Sequence, residues 1–202
     1  MDREKNHLTE ASSSINKRDE IIQVAGELFR RLGYAETSMK DIADRVGILK
    51  GSLYYHFSSK EELLNEVINE GINRLLVVAQ QVYEKHKSPR ERLKKLIEIH
   101  VLHLTTNNKN LVIASNQIDK LTPEHRDSYI VKRDLYEKLL RETLEEGIRA
   151  DEFPPVDIKL TVLSILGMCN WLIQWYQHNG PYSPEYIAYY LSGLICDRML
   201  AK

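Results

Sequence analysis

The chain is poor in the features that would tie it to catalysis, metal chemistry or a membrane. Its 202 residues hold two cysteines, Cys169 and Cys196, each inside an apolar stretch and without C-x-x-C spacing. That excludes a disulfide framework and a cysteine zinc site, and fits buried thiols in a reducing compartment. No run of about 18 apolar residues occurs, and the N-terminus is polar and mixed in charge with no apolar signal region, so the expectation is a soluble, cytoplasmic protein without a membrane partner. G-x-S-x-G, a P-loop and G-x-G-x-x-G are all missing, which leaves an enzyme without its usual nucleophile or phosphate cradle. Charge of one sign is missing too. A formal net charge of −1 removes a global basic field as a source of nucleic-acid affinity and leaves only a local one.

What is present is a helical chain with enough apolar residues, 43%, to build a core. Its most informative stretch is Ser38 to Lys60, S-M-K-D-I-A-D-R-V-G-I-L-K-G-S-L-Y-Y-H-F-S-S-K. Ser38 and Asp41 form a capping pair for a short helix whose Met39, Ile42, Ala43 and Val46 fall at helical spacing. Gly47 supplies a sharp turn, and a second short helix carries Lys50, Gly51, Ser52, Tyr54, Tyr55 and His56 around Leu53 and Phe57. A helix this small suits the major groove of duplex DNA. Lys50, Tyr54, Tyr55 and Ser38 are placed to reach phosphates, while Gly51, Ser52 and His56 lie nearest the bases. From Ile15 to Lys60 there are eight Lys and Arg against six Asp and Glu, a mildly basic head on a near-neutral body.

The run from Ile21 to Leu64 resembles the DNA-binding domain of the tetracycline-repressor (TetR) family of bacterial regulators. The resemblance rests on A-G-E-L-F-R-R-L-G-Y (Ala25 to Tyr34), T-S-M-K-D-I-A (Thr37 to Ala43) and K-G-S-L-Y-Y-H-F-S-S-K-E-E-L-L (Lys50 to Leu64). It implies a transcription factor that binds a palindromic operator as a homodimer and answers to a small-molecule effector, with Lys60 touching the DNA backbone. One position departs from the pattern: Leu49 stands where members often carry a Ser or Thr N-cap, so a hydroxyl that would cap the helix and meet a phosphate is missing.

The remaining pattern predicts an all-α fold of about nine helices, with a polar disordered arm over 1–14, a helix-turn-helix domain over 15–62, and a ligand-binding and dimerisation domain over 63–202. A first helix starts at Asn16 or Lys17 and stops at Gly33. A long helix runs from Lys60 to about Lys87, roughly 40 Å at 1.5 Å per residue. Ser88-Pro89 and Thr122-Pro123 open two more, separated by a break at Asn107–Asn110 and a short segment from Leu111 to Ile118. Asp157 caps a helix expected to reach about His178, and Ser183-Pro184-Glu185 starts the last one. These final two are apolar on more than one face, so they are expected to bury against a second copy through Leu160, Leu163, Gly167, Ile187, Tyr190, Leu191 and Leu194.

His100 and His103, at i and i+3, are expected to be pocket or core histidines; no Glu-x-x-His pair completes a metal site, and neither a metal nor a resident cofactor is expected. The cluster Gly167 to Tyr176 presents amides and indoles together: Asn170, Trp171, Gln174 and Trp175 are candidate ligand contacts, with His100, His103, Asn116, Gln117, Tyr129 and Arg133 from other helices. The N-W-x-x-x-W-Y core (Asn170 to Tyr176) followed by Ser183-Pro184-Glu185 is similar to TetR regulators of fatty-acid or aromatic-acid degradation. That similarity implies release from DNA on binding acyl-CoA. A multidrug-type sensor of hydrophobic cations, or a DNA-binding protein with no effector, are the alternatives.

Overall fold

The computed structural model describes residues 2–106, 113 and 116–201, with side chains resolved inside the first helix from Lys17 onward. Its elements are α1 (Asp2–Leu32), α2 (Met39–Val46), α3 (Lys50–His56), α4 (Lys60–Lys85), α5 (Pro89–Thr105), α6 (Pro123–Arg149), α7 (Ile158–Asn170), α8 (Leu172–Trp175) and α9 (Pro184–Gly193). A 3-10 turn at Ile118–Lys120 and a π-helical close at Leu194–Met199 complete it, and no strand occurs among the described residues. The expected break at Asn107–Asn110 and most of the segment Leu111 to Ile118 lie outside the described residues.

Two compact units result, Met1–Glu70 with Ile113–Arg126, and Gly71–Val112 with Asp127–Lys202. The division falls within α4, at Glu70 and Gly71, and the first unit includes 113–126.

In the first unit α1 buries Ile21, Ala25, Leu28 and Phe29, α2 buries Met39, Ile42, Ala43 and Val46, and α3 sets Leu53 beside Phe57. Each of the larger side chains among these contributes roughly 1.5–3 kcal/mol on burial, which is why helices of seven and eight residues persist here although neither would in isolation. Arg18 lies 4.6 Å over the Phe57 ring and pairs with Glu66 at 3.3 Å. The arm expected over 1–14 is helical backbone from Asp2 onward: the stretch holds no Gly or Pro to stop a helix, so α1 extends back through it.

In the second unit α5 is central, burying Leu93, Leu96, Ile97, His100, Val101 and Leu104. Ser88 caps it by accepting the Glu91 N–H at 3.3 Å, and Asp157 and Ser183 cap α7 and α9 in the same way. The Arg92 guanidinium donates to Glu146 at 2.6 Å and lies over the Tyr83 ring, while the Tyr83 hydroxyl donates to the same carboxylate at 2.8 Å. Gly147 is required where Phe153 packs: a Cβ there would stand 2.1 Å from Cδ2 of the ring. Arg90, stacked on Phe153, donates to the carbonyls of Glu152, Cys196 and Leu200 and so fastens the C-terminus.

The helix expected from Ile158 to His178 stops at Asn170, resumes for one turn as α8 and ends at Trp175. At Trp171 the bonding tightens, with Gln174 N–H donating to the Trp171 carbonyl. The last helix runs from Pro184 as expected, then widens to π-helical spacing from Leu194.

Candidate nucleic-acid interface and effector region

The reader is built from α2 and α3. Ser38 Oγ accepts the Asp41 N–H at 3.1 Å while the Asp41 carboxylate accepts the Ser38 N–H at 2.8 Å, a complete capping box. The same hydroxyl donates to Asp41 at 2.7 Å, and these bonds hold the Asp41 carboxyl below its ordinary range. Gly47, at φ 75°, ends α2 in the left-handed region that favours glycine, and turns the chain into α3.

Leu53 and Phe57 anchor α3 inward, and this leaves Lys50, Gly51, Ser52, Tyr54 and Tyr55 on the exposed side, with Tyr55 87% exposed. A Cβ on Gly51 would meet nothing within 4 Å, so this part of the helix is open to close approach. Lys50 Nζ lies 5.8 Å from the Tyr54 ring centre, and His56, half-buried, meets Tyr55 edge-on at 5.5 Å.

Two residues beside the reader are placed in ways their sequence position does not announce. Lys60, expected on DNA phosphate, directs Nζ to the carbonyls of Tyr34 (2.7 Å), Thr37 (2.9 Å) and Ala35 (3.3 Å) and lies 4.3 Å from the Tyr34 ring centre. All three of its N–H donors are occupied, so it braces the loop between α1 and α2. Leu49 has no side-chain cap bond, as the sequence implies, yet it is also 80% exposed at the start of the reader. Sequence reasoning passed over it as an apolar surface, along with Lys40 and Arg45, which sit on the polar side of α2 opposite its buried stripe. The complement of that stripe was the available signal.

In the second unit the polar centre is His100. Its Nε2 lies 3.0 Å from Asn170 Oδ1, its ring packs 5.3 Å from Tyr136, and its Nδ1 is buried without a protein partner among the described residues. Burial pushes its pKa down to about 4 against the opposing bond from Asn170, so the ring is neutral. His103 is also lowered, chiefly by burial, and its Nε2 likewise has no hydrogen-bond partner among the described residues. Tyr136 donates to the Leu96 carbonyl at 3.1 Å, and Tyr129 is buried with its pKa raised by desolvation.

The other candidates are placed differently. Trp171, Gln174 and Trp175 are exposed, continuing at helical spacing the exposed face that Leu160, Leu163 and Gly167 open on α7. Trp175 lines an open groove of about 380 Å³ with Tyr182, Tyr186, Ile187, Tyr190 and Leu191, where the rings of Tyr182, Tyr186 and Tyr190 stack in sequence. Arg133 is exposed and pairs with the adjacent Asp134 at 3.0 Å. Asn116 and Gln117 belong to the first unit. A second groove, of about 470 Å³, runs between Leu76, Val77, Gln80 and Tyr83 of α4 and Leu135, Lys138, Leu139 and Glu142 of α6. Of the expected seam, Leu160, Leu163, Gly167 and Tyr190 are exposed, Leu191 and Leu194 are half-buried, and Ile187 is buried inside its own chain at the floor of the Trp175 groove.

A short-helix reader near the N-terminus and a second, helical unit both have counterparts among known proteins. Residues 21–67 match the model of the bacterial regulatory proteins of the tetR family, and residues 86–199 match a tetracyclin repressor-like C-terminal domain. The chain belongs to the TetR family. It is a DNA-binding transcriptional regulator and not an enzyme. It is 31% identical over 191 residues to the HTH-type transcriptional repressor KstR2 of Mycolicibacterium smegmatis, covering 91% of this chain and 93% of KstR2. Among solved structures it is similar to the TetR regulator PfmR of Thermus thermophilus (TM-score 0.83, 33% identity, 88% of this chain and 97% of that one). It is also similar to AibR in complex with isovaleryl coenzyme A and operator DNA (TM-score 0.82, 27% identity, 89% and 98%).

Proposed function

We propose that this TetR-family regulator is a repressor, acting in the cytoplasm as a homodimer on a palindromic operator and released by an acyl-CoA or a related amphipathic acyl compound. The observation that carries the reading is its likeness to AibR over nearly its whole length, since that protein is seen with both an acyl-CoA and operator DNA.

On the DNA side, Lys50, Tyr54 and Tyr55 supply phosphate contacts, with Ser38 at the edge of the same surface, while Gly51, Ser52 and His56 approach the bases. Leu49 adds an apolar contact suited to a thymine methyl. Lys60 acts indirectly, by fixing the loop that carries Ser38.

For dimerisation, Ile158–Trp175 is apolar enough by length and composition to cross a membrane, yet only 22% of it is buried within its own chain. Lys159 at its start and the break at Trp171 argue for a protein partner instead. Leu160, Leu163, Gly167 and Trp171 form one exposed stripe, and Tyr186, Tyr189 and Tyr190 another, a surface fit for an interface of about 2,000 Å² or more.

For the effector, the groove between α4 and α6 offers an apolar bed with Lys138 at its margin, and the neutral, part-satisfied His100 and His103 add polar contacts within the same unit. A ligand that prefers the α4 tilt of the released state by about 2.7 kcal/mol lowers operator affinity a hundredfold, well within the burial of one acyl chain.

The test is a panel of CoA thioesters, the matching free acids and cationic dyes added to preformed protein–operator complex, the operator having been selected from random duplexes. Release by thioesters is the expected result. Release by dyes alone would favour a multidrug sensor, and release by nothing a regulator without an effector.

A further inference from the structure

The two helices that pass from the first unit into the second, α4 and α6, have their first turns joined by one carboxylate. Glu61, in the first turn of α4, accepts the Thr122 backbone N–H at 2.9 Å and the His125 ring Nδ1–H at 3.0 Å, with its second oxygen 3.3 Å from the same nitrogen. A carboxylate only accepts, so the proton sits on Nδ1. Both side chains are partly shielded from water, 32% exposed for His125 and 21% for Glu61.

The position of this contact in α6 matters. Thr122 is the residue before Pro123, its Oγ1 accepts the His125 N–H at 3.3 Å and its carbonyl accepts the Arg126 N–H at 2.9 Å, so it caps the helix. In a self-contained capping box the side chain three residues on reaches back to the cap's own N–H. Here that side chain is His125, whose near nitrogen is a donor and cannot do so. Glu61 of α4 supplies the missing acceptor, and α6 is capped in trans.

We infer that Glu61 is the positioning residue through which the starts of α4 and α6 move as one, and that effector response depends on it. This rests on the reading of the protein as an effector-released repressor. A shift of α4 that withdraws Glu61 leaves the Thr122 N–H and the His125 ring without their acceptor. Displacement of either helix is thus transmitted to the other at the base of the reader unit.

The experiment uses the full chain, its selected operator, and isovaleryl-CoA with longer straight-chain thioesters as probes. Glu61→Ala should bind operator within about threefold of the wild type in the absence of thioester, while the ratio of operator affinities without and with thioester falls by about tenfold or more. Exchange of the Arg126 amide should quicken by about tenfold in the same variant. The double variant Glu61→Ala/His125→Glu rebuilds the cap in cis, so it should recover that protection but not the release.

Recovery of release together with protection would mean that Glu61 only caps a helix, and unaltered release in Glu61→Ala would likewise overturn the inference. If no thioester releases the wild type, the functional reading fails in that measurement alone. The tie is then decided by exchange: operator binding should alter Arg126 protection in the wild type and not in the double variant, and an equal change in both overturns it.

Discussion

At the scale of single residues, the structure separates side chains that present themselves to a partner from those that hold the presenting surface in place. Lys60 is the clearest case. A lysine in the first turn of a helix beside the reader has the reach for a phosphate, but the three carbonyls of the 34–37 loop point inward around its ammonium and take every donor. Sequence gives the charge and not its partners, so this assignment could not be read in advance. Cys169 and Cys196, by contrast, were legible as buried thiols, and burial pushes both up to about 12, which keeps them protonated and unreactive.

His100 makes a prediction at this scale. Its folded pKa is pushed down to about 4 while the unfolded value is the ordinary 6.5, so as pH falls the unfolded chain takes up the proton first. The stability that depends on a neutral ring is therefore complete above pH 6.5 and lost as pH drops toward 4, at up to about 1.4 kcal/mol per unit. His103, lowered in the same direction, adds to the slope. Denaturant unfolding between about pH 7.5 and 5 should show this loss, and His100→Gln should flatten it. An unchanged slope in the variant would assign the acid sensitivity elsewhere.

At the scale of elements, caps and turns were the most legible part of the chain. Ser38, Ser88, Thr122, Asp157 and Ser183 each accept an amide of the first turn, because a short side-chain oxygen before a helix has little else it can do. Legibility failed where tertiary contact decides. The break at Trp171 has no Gly or Pro to announce it, and the exposure of Trp171 and Trp175 depends on which face of the helix its neighbours cover. The helical backbone back to Asp2 was missed for the opposite reason, since polar residues permit a helix without requiring one.

The exposed stripe on α7 carries the second prediction. Leu160 is 62% exposed and Leu163 lies one turn on, with Gly167 following where a Cβ would meet nothing within 4 Å. A charge at this stripe should be tolerated by the monomer and not by a dimer. Leu163→Glu is expected to shift sedimentation from dimer to monomer at micromolar concentration while leaving the helical circular dichroism intact. A variant that stays dimeric would place the interface elsewhere.

At the scale of the whole molecule, the family was legible because its signature is a short contiguous stretch, Lys50 to Leu64, in which exposed reader positions alternate with the buried Leu53, Phe57, Leu63 and Leu64. The candidate effector residues are harder to read from sequence. They come from helices far apart in sequence, and the structure keeps His100 and Asn170 together while it assigns Asn116 and Gln117 to the other unit. What unites the levels is a requirement of linkage: an effector that weakens operator binding must itself be weakened by operator, by the same factor. Calorimetric titration of the thioester into free protein and into protein saturated with operator measures this directly. The proposed effector release requires operator to lower thioester affinity by about the factor by which thioester lowers operator affinity, near a hundredfold for the ~2.7 kcal/mol preference. Equal thioester affinity for the free and the operator-bound protein would contradict it.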